Sequence, residues 1–129
     1  MRRTLLATLA TLPLLAACAP QSAAPALPLR VVFFTEDSAS LDAPARQVIS
    51  EAAGEARTRN ARVTVRGFAG PAGGQAFNQA LSNTRALAVR DGLVAAGVPA
   101  SNITVQPRGP VPFEAAVTES RRVEIAIGM

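Results

Sequence analysis

Asn78, Ser82 and Arg85 are spaced by four and then three residues, which places an amide, a hydroxyl and a guanidinium on one face of a helix. A guanidinium with loop N–H groups beside it is chemistry for holding a carboxylate. Arg85 read alone is an arginine on an amphipathic helix, and such a residue is expected to be solvated or ion-paired at the surface. Covalent catalysis finds little support in the chain. It has no histidine to act as base for Ser82 and only one cysteine, Cys18. Glu36 and Asp37 are adjacent, so as residues of a strand or turn they point apart and do not flank a substrate bond. The carboxylates are scattered without metal-ligand spacing, so no metal and no cofactor is expected.

The run Asn78, Leu81-Ser82, Arg85-Ala86, Val89, together with Val63-Thr64-Val65-Arg66-Gly67 upstream and Ser120-Arg121-Arg122-Val123-Glu124-Ile125 near the end, resembles the OmpA-like domain, a periplasmic peptidoglycan-holding module. The resemblance covers about residues 30–127. It implies a ligand, the zwitterionic diaminopimelate side of the peptidoglycan stem peptide. An aspartate before the second helix would hold the ammonium, and the helix arginine, here Arg85, would hold the carboxylate. It also implies that Asn78 bonds ligand or loop backbone. The chain departs from the pattern where the family reads Gly-His-Thr-Asp. Here Gly67-Phe68-Ala69-Gly70 puts Phe68 at the histidine and Gly70 at the aspartate. Losing one charge-assisted contact costs about 1.5–3 kcal/mol, a weakening of roughly ten- to a hundredfold. Asp37 or Glu36 could replace the anion, the alternative being a solvated turn. Ser120-Arg121-Arg122 resembles the family's Asn-Arg-Arg. Those arginines either pair with carboxylates at the edge of the last strand or, in the functional reading, place one of them, Arg121, beside the pocket.

The elements that must position these groups alternate. Leu29 to Phe34 reads as a first strand, and Asp42 is an N-cap followed by Pro44 in the first turn. Ala45, Val48, Ile49, Ala52 and Ala56 then recur at helical spacing, with Arg57, Arg59 and Arg62 about the solvated end. Arg62 to Phe68 alternates as a second strand. After the Gly-rich loop, a second helix runs from about Gln75 to Ala96, burying Ser82, Ala86, Val89, Leu93 and Ala96 or their neighbours, and Gly97 stops it. Ile103 to Gln106 and Arg122 to Ile127 are the last strands. A loop holding Pro107, Gly109, Pro110 and Pro112 joins them. Its stretch from Gly109 to Glu119 is short and apolar for the family, through Val111, Phe113 and Val117, and could cover the groove or meet a partner. The order βαβαββ is an α+β two-layer sandwich, two helices on a mixed four-stranded sheet.

The N-terminus is expected to direct export. Arg2-Arg3, an apolar run from Leu5 to Leu15 and Leu15-Ala16-Ala17-Cys18 make a signal peptide over residues 1–17 whose cleavage box resembles the bacterial lipobox. The residues that would follow a twin-arginine pair are missing, which favours the general export route. Pro13 and Pro20 argue against a spanning helix. Cys18 would then be the lipidated first residue, and residues 18–28, rich in proline and alanine, a tether spanning roughly 30 Å before the domain at 29–129. Ala19 is not the aspartate that favours inner-membrane retention in such lipoproteins. All 13 basic residues are arginine, and without Arg2 and Arg3 the balance is 11 against 9 acidic residues. With neither Trp nor Tyr and no basic cluster among aromatics, nucleic acid is not an expected partner.

Together these features imply a non-enzymatic lipoprotein of the outer membrane, its domain in the periplasm, binding peptidoglycan and tethering that membrane to the wall. The alternative is a divergent domain of the same type that has lost wall binding and serves as an interaction or assembly subunit among envelope proteins. An envelope enzyme is a third, and would need a carboxylate pair facing across a deep cleft.

Overall fold

The computed structural model describes residues 29–112 and 116–128, so the expected signal peptide, Cys18 and the expected tether lie outside the described residues, as does Phe113 of the last loop. The elements are β1 (Leu29–Phe33), α1 (Ala43–Arg59), β2 (Val63–Ala69), α2 (Gln75–Ala95), a 3₁₀ turn (Ala100–Asn102), β3 (Ile103–Pro110), a second 3₁₀ turn (Val117–Ser120) and β4 (Arg122–Ile127). The four strands form one sheet in the order β1-β4-β2-β3. β2 and β3 are parallel, as a strand–helix–strand crossover through α2 requires. β4 runs antiparallel to both β1 and β2. The last strand is thus central, and the expected two helices on a mixed sheet are the observed architecture.

Alternation decides which face is core. Val63 and Val65 of β2 and Val123, Ile125 and Ile127 of β4 point at the helices with essentially no exposure. They meet Ile49, Ala52, Ala53 and Ala56 of α1 and Ala86, Val89 and Leu93 of α2. Each fully buried Val, Leu or Ile contributes about 1.5–3 kcal/mol of transfer free energy. On the opposite face Arg122 lies 4.2 Å over the Phe68 ring and its Nε donates to Glu124 at 3.0 Å. Phe68, standing where the resembled family has histidine, is therefore a packing residue of the open sheet face.

Both helices end as their sequences dictate. Asp42 accepts from the Ala45 N–H at 2.8 Å, the N-cap expected before Pro44. α1 closes on Asn60 in the left-handed region, and α2 on Gly97 at φ 98°. In the latter, Gly97 and Val98 donate back to the Val94 and Leu93 carbonyls, the double bond of a Schellman stop. No helix among the described residues is long and apolar enough to cross a membrane.

The second half of β3 departs from the sequence expectation. Pro107, Gly109 and Pro110, read above as loop, continue the strand as far as Pro110. β3 is an edge strand, so prolines there sacrifice no ladder bond needed by the sheet. The register shifts between Gly67 and Phe68, whose partners are Pro107 and Gly109, leaving Arg108 as the extra residue of a bulge. Gly109 takes φ 76° there, and its N–H is satisfied by the Ser82 hydroxyl at 3.0 Å.

Candidate functional site

The ends of β1 and β2, the start of α2 and the second 3₁₀ turn converge on a cleft of about 60 Å³, walled by residues that include Glu36, Asp37, Gly70, Asn78, Arg85 and Arg121. That is room for a few heavy atoms, the size of one amino-acid head group. The residues singled out from the sequence for ligand binding, spread from position 37 to position 121, all line this one space. They reach it from three separate connections and from helix α2.

Arg85 is the structural centre of the cleft and is fully buried. Its Nε donates to the Ser38 carbonyl at 2.8 Å, Nη1 to the Phe68 carbonyl at 3.1 Å and Nη2 to the Thr35 carbonyl at 3.0 Å. Its guanidinium carbon sits 5.3 Å from the Phe34 ring centroid. The expectation of a solvated side chain is therefore corrected. Three backbone carbonyls, two in the turn after β1 and one, Phe68, buried in β2, converge on this point, and a planar guanidinium fans its donors to all of them. Burial, reinforced by the like charge of Arg121 and opposed by Asp37, presses the Arg85 pKa below its ordinary value, and the group remains a cation.

The two other polar groups on that helix face are also structural. Asn78 donates from Nδ2 to the Ala72 carbonyl at 2.7 Å, which holds the Gly-rich loop against the start of α2. Of the two roles open to it, it takes the loop-backbone one. Ser82, fully buried, donates to the Gln79 carbonyl at 2.8 Å while receiving the Gly109 N–H. It ties α2 to the bulge of β3.

The charged groups at the rim are arranged differently. Glu36 and Asp37 are exposed at the cleft, Asp37 at φ 50° in the left-handed region. That conformation suits an aspartate in a tight turn, and the same residue lines the cleft. Gly70 faces Ser120, whose hydroxyl oxygen would lie 3.3 Å from an added Cβ. Ser120, standing where the family pattern has asparagine, is buried and donates to the Val117 carbonyl at 2.8 Å. The two consecutive arginines divide the roles proposed for them. Arg122 pairs with Glu124 on the open sheet face, whereas Arg121 lines the cleft.

This geometry defines a two-helix, mixed-sheet domain with a small charged cleft at its loop end, and the chain matches the OmpA family over residues 33–124, to which it belongs. It is 41% identical over 73 residues to the peptidoglycan-associated lipoprotein of Agrobacterium fabrum, a match that covers 56% of this chain and 41% of that protein. Among solved structures it is similar to the peptidoglycan-associated lipoprotein of Burkholderia pseudomallei, with a TM-score of 0.69 and 24% identity over 76% of this chain and 89% of that one. The OmpA-like domain of FopA1 from Francisella tularensis gives a TM-score of 0.64 at 23% identity, over 77% and 73% of the two chains. The cell wall anchor of the type VI secretion system of Pseudomonas aeruginosa gives 0.62 at 25% identity, over 78% and 80%.

Proposed function

We propose that this OmpA family domain binds peptidoglycan non-covalently through the cleft, and that the protein tethers the outer membrane to the cell wall as a lipoprotein. The observation that carries this reading is the presence of carboxylates and guanidinium groups on one head-group-sized cleft. That is the complement of a zwitterionic centre such as the free end of a diaminopimelate residue in a stem peptide. Glu36 and Asp37 form no hydrogen bond or ion pair among the described residues, so either can receive an ammonium that Gly70 cannot. Similarity to proteins named peptidoglycan-associated lipoprotein supports the same reading.

Binding of the full chain to purified peptidoglycan tests it. Asp37→Asn is expected to weaken binding by about 1.5–3 kcal/mol, and Gly70→Asp to strengthen it by a similar amount. Gly70 has an ordinary backbone conformation, and the Ser120 hydroxyl 3.3 Å from an added Cβ need give only slightly. Should both variants sediment with peptidoglycan just as the wild type does, the cleft is not the wall site. The second reading, an assembly module without wall binding, is favoured by one observation, the glycine where the family pattern carries its aspartate. A wild-type chain that fails to sediment with peptidoglycan would establish it.

The anchor is tested separately at Cys18. Cys18→Ser is expected to abolish incorporation of a labelled fatty acid, because a thiol at that position is the acylation substrate. Label persisting in the variant would contradict the lipoprotein reading.

A further inference from the structure

We propose that the open face of the sheet is a docking surface for an anionic lipid bilayer, a second contact with the membrane beside the anchor expected at Cys18. Strand alternation selects the residues of this face. Arg66 of β2 and Arg122 and Glu124 of β4 project from it, and the ladder runs one residue beyond β2, where the Arg62 carbonyl accepts from the Gly128 N–H at 2.8 Å. The exposed Arg62 therefore shares the parity of Thr64 and Arg66. Arg108, the extra residue of the β3 bulge, is exposed and reaches the same face. Its Nη2 donates to the Gln106 Oε1 at 3.2 Å, and the Arg66 Nε donates to the same oxygen at 3.4 Å. Glu124 is the carboxylate among them, 3.0 Å from Arg122 and 3.9 Å from Arg66. Four guanidinium groups around one carboxylate leave an excess of three positive charges on this face, whereas the chain from Cys18 onward carries 11 basic and 9 acidic residues in all. The remainder is net negative, so the positive charge of the domain is gathered on one broad side.

Beside the cations runs an apolar column. Leu29, Val31 and Phe33 of β1 alternate with the core residue Val32 and so face outward, and Leu29 and Phe33 are 51% and 53% exposed. β1 is an edge strand next to β4, with Phe33 paired to Arg122 and Val31 to Glu124. Apolar side chains beside guanidinium groups on one surface suit a bilayer interface, where aliphatic and phenyl groups enter the acyl boundary while cations meet lipid phosphates. A soluble polyanion would use the arginines and leave Leu29 and Phe33 in water. The point where the tether arrives favours the bilayer. Residues 19–28 join Cys18 to Leu29, itself a member of the column. An acyl anchor on Cys18 would therefore be attached at the edge of this face, within roughly 30 Å of it. A short tether holds the face near its target at an effective concentration on the order of millimolar, at which a weak contact is occupied. The contribution of the tether rests on the lipoprotein reading above, whereas the composition of the face does not. None of these residues lines the cleft, so the two surfaces are separate.

The test uses the chain from residue 18 with Cys18→Ser, which removes the expected acylation site and retains the whole core cluster, Val32 to Ile127. It is sedimented with vesicles of phosphatidylethanolamine and phosphatidylglycerol, and with vesicles of phosphatidylcholine alone. Binding is expected to the anionic vesicles, falling with added salt, and not to the zwitterionic ones. Arg62→Glu with Arg108→Glu, both at exposed positions, should weaken it by about tenfold or more. Arg46→Glu with Arg57→Glu makes the same change in net charge at exposed positions of α1 and should leave binding unchanged. Phe33→Ser should weaken binding severalfold and leave its salt dependence as it was. No binding to anionic vesicles, or an equal loss in the two paired variants, overturns the proposal. Unchanged binding in Phe33→Ser would assign the arginines to a soluble polyanion, and a dimer in sedimentation equilibrium that Phe33→Ser disperses would assign the face to a second copy. Either result overturns the membrane assignment. Because the acylation site is absent, failure of the face and failure of the anchor are read separately, the latter by fatty-acid labelling at Cys18.

Discussion

Arg85→Ala is expected to destabilise the domain by about 3 kcal/mol or more, the scale of removing several hydrogen bonds made by one charged donor group. The substitution leaves the carbonyls of Thr35, Ser38 and Phe68 without their donors and opens a void beside Phe34, itself buried. The same three bonds clamp the turn after β1 to the end of β2, which are two walls of the cleft. Peptidoglycan binding should therefore fall along with stability, by loss of the cleft's shape. Arg85→Lys should recover little, because an ammonium on a flexible stem cannot fan donors to three carbonyls in one plane. Urea unfolding followed by circular dichroism measures the effect. A midpoint within experimental error of the wild type would mean that the three bonds do not hold the loops. The arginine would then be a surface ligand group, as its helix pattern alone implies.

Gly67→Ala is expected to be of similar severity. An added Cβ would stand 2.0 Å from the Ser82 carbonyl oxygen and 2.9 Å from the Ala86 Cβ. The first is helix backbone and the second is buried, so neither can turn aside. Relief requires α2 to lift from β2, with Ser82 losing its alignment on Gly109. Overpacking of this kind costs about 3 kcal/mol, a fall of roughly 10–20 °C in Tm for a domain of this size. Gly54, within α1, has nothing within 4 Å of an added Cβ, so Gly54→Ala is the matched control and should hold or raise Tm. Equal melting of the Gly67 and Gly54 variants would show that the close approach of strand and helix is not what requires glycine.

Sequence alone determined the elements whose signals are local. Asp42 with Pro44 marked the start of α1 and Gly97 the end of α2, because caps depend on a few neighbouring dihedrals and donors. The alternation of Val123, Ile125 and Ile127 marked a buried strand, because side-chain period is set by the pleat. The candidate site was legible as a set of residues through the spacing of Asn78, Ser82 and Arg85 and its resemblance to a known pattern. Tertiary structure decided what each member does. No local signal distinguishes an arginine that faces water from one that faces three carbonyls contributed by segments 17 to 50 residues away. The surroundings of Arg85 exist only once β1, β2 and α2 have packed. The same holds for Pro107 to Pro110, turn-like by composition yet strand by position at a sheet edge. It holds for the division of Arg121 from Arg122, adjacent in sequence, one lining the cleft and the other lying over Phe68 on the opposite face of the sheet. Composition is a property of the segment, whereas edge position and facing are properties of the sheet that surrounds it.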